Sequence, residues 1–564
     1  VTDNRKFLDL LVSESVLIRE DSHKISDKFK GNAFEILKYL LKEKVAPRHV
    51  LGRLWGDSIG VSYVNLEKSL FQAAVIKKLP EVYARKNRMI PLYQLQGVVT
   101  TAMATPQDAA LIREAEYLMA SPVSAVFSLP EEIRDAIDIQ YQSDDALAEQ
   151  VARIADDPLF RGTDKVTVEQ MKRLAGEQAI IDFVNNLILL AFKERASDIH
   201  IDPLETAVSI RLRVDGMLHE RLTLERSLLS PVVSRLKVMS GLDITERRRP
   251  QDGRVKLQLS HRYIELRLST VSTIYGEKMV LRILGQNRQD NIPQVGELFF
   301  SHRNFKMLNR ILNAPNGVFF VTGPTGSGKT TTLFSMLQHL NTPEINIMTA
   351  EDPVEYTLPG INQVQINPAI EFHFANALRS FLRQDPDVIL IGEIRDLETA
   401  HIASQAAMTG HLVLTTMHTN TALQAITRLI EIGVEPFLVA PSIIGVMAQR
   451  LVRRICPYCR EKYELPPEEI ERYFVWDGKT NVHAWRSRGC VECHNTGYRG
   501  RLAIQEVFVI NDSLRALIAK EASILEIEQC AKDDGFKPMR YDGIKKVLMG
   551  YTTFEEVERV TAMD

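Results

Sequence analysis

The sequence predicts a multidomain α/β protein whose C-terminal half is built on a largely parallel sheet. Three observations lead there. The chain has 564 residues, 45% hydrophobic and 25% charged, far more than one ordinary core organises, so about three or four domains are expected. From residue 317 onward, strand-like apolar runs alternate with helical patterns, starting at GVFFVTGPTGSGKTTTLFSMLQHL, the signature of βαβ units. Four of the five cysteines fall into two C-x-x-C pairs, an arrangement for metal more than for disulfides in a reducing compartment.

Composition narrows the function classes. With 69 basic and 72 acidic residues the formal net charge is −3, so the global positive excess that favours nucleic-acid binding is missing and no nucleic-acid partner is expected. No apolar run approaches the 18 or so residues needed to span a bilayer, and VTDNRKFLDLLVSESV lacks the apolar core of a signal peptide. A cytoplasmic location is the expectation.

Along the chain, residues 1–140 mix short amphipathic helices such as NAFEILKYLLKEKV with a strand-like stretch, GVVTTAMATPQD, and form a first small α/β domain. Residues 141–170, rich in Asp and Ala and weakly periodic, read as a linker or loose helix. A second α/β module is expected over 171–290. There EQAIIDFVNNLILLAFKERA spaces Ile180, Val184, Leu187 and Leu190 on one helical face, and strands such as AVSIRLRVDG and HRYIELRLSTV follow. Residues 291–564 complete the chain as the strand-then-helix domain.

That domain opens with a phosphate-binding pattern. Gly323-Pro324-Thr325-Gly326-Ser327-Gly328-Lys329-Thr330, followed by Thr331, matches G-x-x-x-x-G-K-[ST], with an apolar strand at 318–321 before it and a helix after it. The glycines let backbone N–H groups face phosphate oxygens at a helix N-terminus. Lys329 neutralises β/γ-phosphate charge, and the Thr330 hydroxyl can ligate Mg²⁺.

Hydrolysis asks for carboxylates as well. One candidate group is AEDPVEY, where Glu351, Asp352 and Glu355 crowd together after a strand. The blander reading is a solvated turn. A second is DVILIGEIRD, whose apolar strand 388–391 runs into Glu393, the place for a Mg²⁺-coordinating acid, with Glu where Asp is usual. In GHLVLTTMHTN, His411 and His418 bracket a strand of alternating character. Either can sense a γ-phosphate, and each can equally be a polar residue in a packed strand.

Cys456-Pro-Tyr-Cys459 and Cys490-Val-Glu-Cys493, with 30 residues between the pairs, suit a closed tetrahedral Zn²⁺ site of structural type. A redox pair is the rival, and His494 is a minor alternative ligand. Cys530 stands alone and reads as a buried small apolar residue.

The set GPTGSGKT, AEDPVEY, LRQDPDVILIGEIRD and GHLVLTTMHTN, in this order, resembles the secretion ATPases: the E proteins of type II secretion systems and the assembly ATPases of type IV pili. SDIHIDP, RLRVDGML and RPQDGRV extend the resemblance over roughly residues 171–564. It implies a RecA-like P-loop NTPase core preceded by a PAS-like α/β module, working as a homo-hexamer. It also implies MgATP on Lys329 and Thr330, Glu355 as catalytic carboxylate, Glu393 at the Walker B position, and His411 and His418 in a histidine box. Arginines of the second module, with Arg254, Arg267 and Arg282 as candidates, would close on the phosphates. Arg211, Arg213 and Arg247–Arg249 lie nearby in sequence, and any one of these can instead serve a salt bridge. The cysteine lobe at 456–493 falls where the family has one, and it favours an assembly-type motor over a retraction motor. ALQAITRLIEIGVEPFLVAPSIIGVMAQRLVRRICPYC looks more like the type II secretion branch than the pilus branch. Partners would be inner-membrane platform proteins reached through the N-terminal domain, so that membrane association is peripheral. Some relatives bind cyclic di-GMP there through an R-L-G-x-x-L repeat, which KFLDLLVSESVLIREDSHKI and EILKYLLKEKVAPRHVLGRLW fit poorly, and that ligand is not expected. A nucleotide-switched scaffold without sustained turnover is the reading from another class. A small-molecule kinase ranks below both, since no lid or acceptor pocket is recognisable.

Overall fold

In the computed structural model the described residues are 4–561, apart from 15, 30–31, 44, 67–68, 70, 142–146, 148–149, 155–156, 158–172, 260–261, 285–291, 476 and 478. The chain divides into two compact units, Val1–Leu284 and Gly285–Asp564.

The first unit starts with helices Asn4–Ser13, Arg19–Lys28, Ala33–Lys42 and Arg48–Ile59. Phe7, Leu11, Ile36, Leu40, Leu51 and Trp55 form their core, and Asn32 caps the third helix by accepting from the N–H groups of Phe34 and Glu35. A three-stranded sheet follows: β1 (Met89–Leu95), β2 (Val98–Met103) and β3 (Val123–Phe127). β1 and β2 are antiparallel, whereas β2 and β3 are parallel, joined by helix Ala109–Met119. The linker expected at 141–170 lies mostly outside the described residues. Leu147 and Ile154 within it are described, and both are buried in the core that follows.

That core lies between helices Gln178–Lys193 and Leu229–Ser240 and a six-stranded sheet. The strands are β4 (Asp198–Pro203), β5 (Ala207–Val214), β6 (Met217–Glu225), β7 (Gln251–Leu259), β8 (Arg262–Thr273) and β9 (Gly276–Leu284), in the spatial order β6-β5-β4-β9-β8-β7, every pair antiparallel. Ile180, Val184, Leu187 and Leu190 are buried as their spacing predicts. Side chains alternate along a strand, so Ile199, Ile201, Leu266 and Leu281 face the core while the intervening polar residues take the other face.

The second unit is organised by β10 (Gly317–Thr322), β11 (Ile347–Glu351), β12 (Asn362–Gln365), β13 (Val388–Ile391), β14 (Leu412–Met417) and β15 (Ile443–Ile455), with β18 (Tyr498–Val509) at one edge. The order is β12-β11-β13-β14-β10-β15-β18, and only the β15–β18 pair is antiparallel. Val318 and Phe320 of β10 enter one core while Phe319 and Val321 enter another on the opposite face. Because both faces are covered, β14 is buried at all six positions, which corrects the alternating character expected for it. β16 (Arg460–Glu464) and β17 (His483–Ser487) make a separate antiparallel pair.

The C-terminal helix Phe554–Thr561 is fastened to β15 by Glu556. Its carboxylate accepts from Arg453 N at 2.8 Å, Arg453 Nη2 at 2.7 Å and Arg559 Nη2 at 2.8 Å. Burial alone would push the Glu556 carboxyl up, but the bonds from Arg559 and Arg453 outweigh it and hold the group down to about 2. A folded value below the ordinary carboxylate value of about 4.3 contributes stability that is present above that pH and is lost as pH falls toward 2. Glu556→Gln is therefore expected to lower the melting temperature at neutral pH and to flatten the acid limb of the stability curve. Denaturant melts of both proteins across a pH series check this, and identical acid limbs would contradict it.

Candidate functional site

β10 ends at Thr322 and the chain turns at once through three glycines with positive φ: Gly323 at 141°, Gly326 at 80° and Gly328 at 89°. At Gly323 a Cβ would lie 2.5 Å from the Gln449 carbonyl oxygen, so only glycine lets the loop pass β15 so closely. Helix Lys329–Leu340 starts with Gly328 as its N-cap and no side-chain cap. Its first N–H groups and its dipole are thereby left for an anion. The Ser327 hydroxyl is buried and has no hydrogen-bond partner among the described residues, as suits a loop that closes around phosphate oxygens. Lys329 curls over the loop, its Nζ donating to Gly323 O at 2.8 Å and Pro324 O at 3.1 Å. Burial pushes the Lys329 ammonium down, while the Glu393 charge pulls it up. Pro324, Thr325 and Gly326 are exposed, and Thr330 and Thr331 half-buried, at the mouth.

Because β10, β11, β13 and β14 are parallel, their C-terminal ends share one edge of the sheet, with Thr322 opposite Met417, Ile391 opposite Thr415 and Ala350 opposite Ile391. Glu393 follows β13 there, 14% exposed, and pairs with Arg395 and with His418 Nε2 at 3.3 Å. Thr416 Oγ1 donates to Gly392 O at 2.6 Å and the Ile394 N–H to Thr416 O at 3.1 Å, which fixes the turn. Lys329, Glu393 and His418 thus gather at one edge. His411 does not. It sits before the first residue of β14, roughly 20 Å away at about 3.3 Å per residue. There its ring Nδ1 lies 2.8 Å from Ala406 O and its carbonyl accepts from Gly317 N. Within this chain His411 lies at the far end of β14 from the glycine loop, where it pins the turn between a helix and that strand.

The acidic run divides in the same way. Glu351, the last residue of β11, is buried and accepts from Thr349 Oγ1 at 2.6 Å and Gln363 Nε2 at 2.9 Å. Burial pushes its carboxyl up, and the neighbouring Glu355 charge adds to the rise. Asp352 and Glu355 are exposed. The turn that carries them is braced from β12, where Gln363 Nε2 donates to Tyr356 O at 3.0 Å and Gln365 Oε1 accepts from Val354 N at 3.4 Å.

In the first unit the sheet register sets Arg254 opposite Arg267, Arg267 opposite Arg282, Arg282 opposite Asp198, and Asp198 opposite Arg213. Directly opposed residues share a face, so four guanidinium groups and one carboxylate form a row across five strands. Arg282 Nε bonds Asp198 Oδ1 at 2.9 Å, and Arg213 Nε lies 3.7 Å from Asp198 Oδ2. Arg254 and Arg267 are exposed. Arg211 is engaged by Asp202 at 2.7 Å.

Gln449 escaped the sequence reading. It is wholly buried in β15 and touches the 323–332 segment with both ends of its amide. The available signal was one glutamine inside the apolar run IIGVMAQRLV.

The cysteine pairs converge because β16 and β17 bring their flanks together, Arg460 opposite Ser487. Cys456 Sγ lies 3.8 Å from Cys490 Sγ, Cys459 Sγ 3.9 Å from Cys493 Sγ, and Cys490 Sγ 3.7 Å from Cys493 Sγ. Four sulfurs about 2.3 Å from a tetrahedral Zn²⁺ would stand roughly 3.8 Å apart, so the four residues fit that ion, whereas a disulfide would need about 2.05 Å. The N–H groups of Cys490 and Gly497 donate to Cys493 Sγ at 3.2 and 3.3 Å, orienting it as a thiolate acceptor. His494 is exposed and is not one of the four clustered ligands among the described residues. Cys530 is only half-buried, beside Asp534, which corrects the buried position expected for it. Elemental analysis is expected to find one zinc per chain, lost in a Cys456→Ser, Cys459→Ser variant. Unchanged metal content in that variant would remove the cysteines from the site.

Residues 173–559 match the family model described as type II/IV secretion system protein, and residues 59–147 match the MshEN domain. The chain is 37% identical over 570 residues to the type IV pilus assembly ATPase PilB of Myxococcus xanthus, with 99% of each chain covered. It is 43% identical over 489 residues to the type II secretion system protein E of Dickeya dadantii, covering 86% of this chain and 97% of that one. The crystal structure of the Legionella pneumophila ATPase DotB shares the fold at a TM-score of 0.51 and 20% identity, over 68% of this chain and 96% of that one.

Proposed function

The chain belongs to the type II/IV secretion system protein family, and from that premise we propose that it is the ATP-driven motor of a machine that assembles pilin-type filaments. It is an ATP-hydrolysing member of that family. The observation that carries the reading is the meeting of the glycine loop, Lys329, Glu393 and His418 at one edge of a buried parallel sheet.

In this reading the N–H groups of Gly326–Thr331 hold the β- and γ-phosphates, and Lys329 exchanges its two loop carbonyls for phosphate oxygens. The Thr330 hydroxyl and Glu393 are the residues to hold Mg²⁺, which supplies charge neutralisation when bound. Glu355, exposed on its braced turn, takes the proton of the attacking water, and the γ-phosphoryl group leaves ADP as inorganic phosphate. His418 orients Glu393 and senses whether the γ-phosphate is present. The row Arg254–Arg267–Arg282 supplies positive charge to the phosphates from the same or an adjacent subunit of a hexamer, and its arrival and departure turn hydrolysis into domain movement. The tetracysteine lobe holds Zn²⁺ structurally.

No helix among the described residues is long and apolar enough to cross a membrane. We place the protein at the cytoplasmic face of the inner membrane, held by platform proteins through its N-terminal domain. Pseudopilus growth in type II secretion is the first reading of the machine, on the 422–459 segment and the 43% identity to a secretion E protein. Type IV pilus extension is the second, favoured by alignment with pilus assembly ATPases over 98–99% of this chain, N-terminal region included.

Lys329→Ala is expected to abolish ATP hydrolysis, and Glu355→Gln to lower kcat by at least about a hundredfold while nucleotide still binds. Phosphate-release assays check both, and parental turnover in both variants would move the active site elsewhere. Affinity capture of the tagged full chain from its native cell separates the two machines. Recovery of secretion platform proteins supports the first reading, and recovery of pilus platform proteins the second.

A further inference from the structure

A buried glutamine on β15 grips the glycine loop from behind. Gln449 is 0% exposed. Its Nε2 donates to Ser327 O at 2.8 Å, and its Oε1 accepts from Thr332 Oγ1 at 3.0 Å. The orientation of the amide is dictated by chemistry: a carbonyl oxygen only accepts, so the NH₂ group must face Ser327 O. Its backbone carbonyl lies where a Cβ on Gly323 would be 2.5 Å away, and its Nε2 where one on Gly328 would be 3.1 Å away. One residue therefore abuts the loop at its first glycine, at its last glycine and in the first turn of the following helix.

The consequence for phosphate binding comes from peptide geometry. In a trans peptide the C=O and the next N–H point in opposite directions. Drawing the Ser327 carbonyl toward β15 therefore turns the Gly328 N–H the other way, to the side of the loop away from Gln449. A free loop of three glycines would sample many orientations of that peptide, and phosphate binding would bear the cost of fixing it.

We infer that Gln449, with Thr332, is a positioning residue that pre-sets the loop for phosphate, acting through the Ser327–Gly328 peptide without touching the nucleotide. This rests on the reading of Gly323–Thr331 as the nucleotide loop. Glutamine is specifically suited, because methionine has the shape without either polar end and glutamate keeps the acceptor while placing a second acceptor against the Ser327 carbonyl.

The test measures MgATP affinity and steady-state kinetics on the full chain, together with the melting temperature without nucleotide. Gln449→Met and Gln449→Glu are expected to raise the KM and Kd for MgATP about tenfold or more, with kcat changed less than about threefold. Thr332→Val is expected to weaken binding in the same sense, and Thr332→Ser, which keeps the hydroxyl, to restore it. The Thr332 pair keeps the question open to refutation should a Gln449 variant fail to fold. A lowered melting temperature with unchanged KM and Kd in all variants would make the residue merely structural and overturn the inference. Lys329→Ala run alongside separates the two layers. If it too binds and hydrolyses MgATP as the parent does, the nucleotide-loop reading falls, and if only it loses binding, the inference about Gln449 falls alone.

Discussion

The candidate site depends on a sheet that is buried on both faces and whose central strands all run the same way. Parallel strands bring their C-terminal ends to one edge by construction, and that edge is where the dipoles and free N–H groups of the following helices collect. In this protein Thr322, Glu351, Ile391 and Met417 end their strands there. The glycine loop, Glu393 and His418 are the residues that come next in the chain. The chemistry is assembled by strand direction rather than by proximity in sequence.

Within the second unit, buried polar contacts tie the edge strand β18 to the helix Met539–Leu548. Lys546 is buried and donates to Asp542 Oδ2, Gln505 Oε1 and Ala503 O at 2.6–2.7 Å. Asp542 in turn accepts from the N–H of Gln505 at 3.0 Å. Burial pushes the Lys546 ammonium down and the Asp542 charge opposes it. A buried pair of this kind survives because every member is satisfied, and removing one partner would strand a charge. Glu506, the next residue on β18, accepts from the N–H of Ala422 at 2.7 Å and of Met539 at 2.9 Å, fastening two helix starts. The edge strand β18 is therefore tied to the body of the unit by neighbouring residues with different partners.

Much of this was legible in the sequence, because the loop, the 388–391 strand and the cysteine pairs are local patterns whose chemistry fixes their surroundings. The arginine row was legible only in part. Its four arginines could be named, but their alignment is a property of β-sheet register, which sequence spacing does not reveal. His411 and His418 look alike in sequence, and only strand direction tells that they stand at opposite ends of β14. Glu351 and Glu355 also look alike, yet one ends a buried strand and the other lies on an exposed turn. Gln449 was invisible for the same reason: its partners are more than a hundred residues away in the chain.

The central claim is that this one edge binds and hydrolyses ATP, and a crystallographic determination with Mg²⁺ and a non-hydrolysable ATP analogue tests it most directly. The account predicts β- and γ-phosphates on the N–H groups of residues 326–331, Lys329 turned from its loop carbonyls to a phosphate oxygen, and the metal between Thr330 and Glu393. Phosphates bound elsewhere in the unit, with Lys329 still on Gly323 and Pro324, would contradict it.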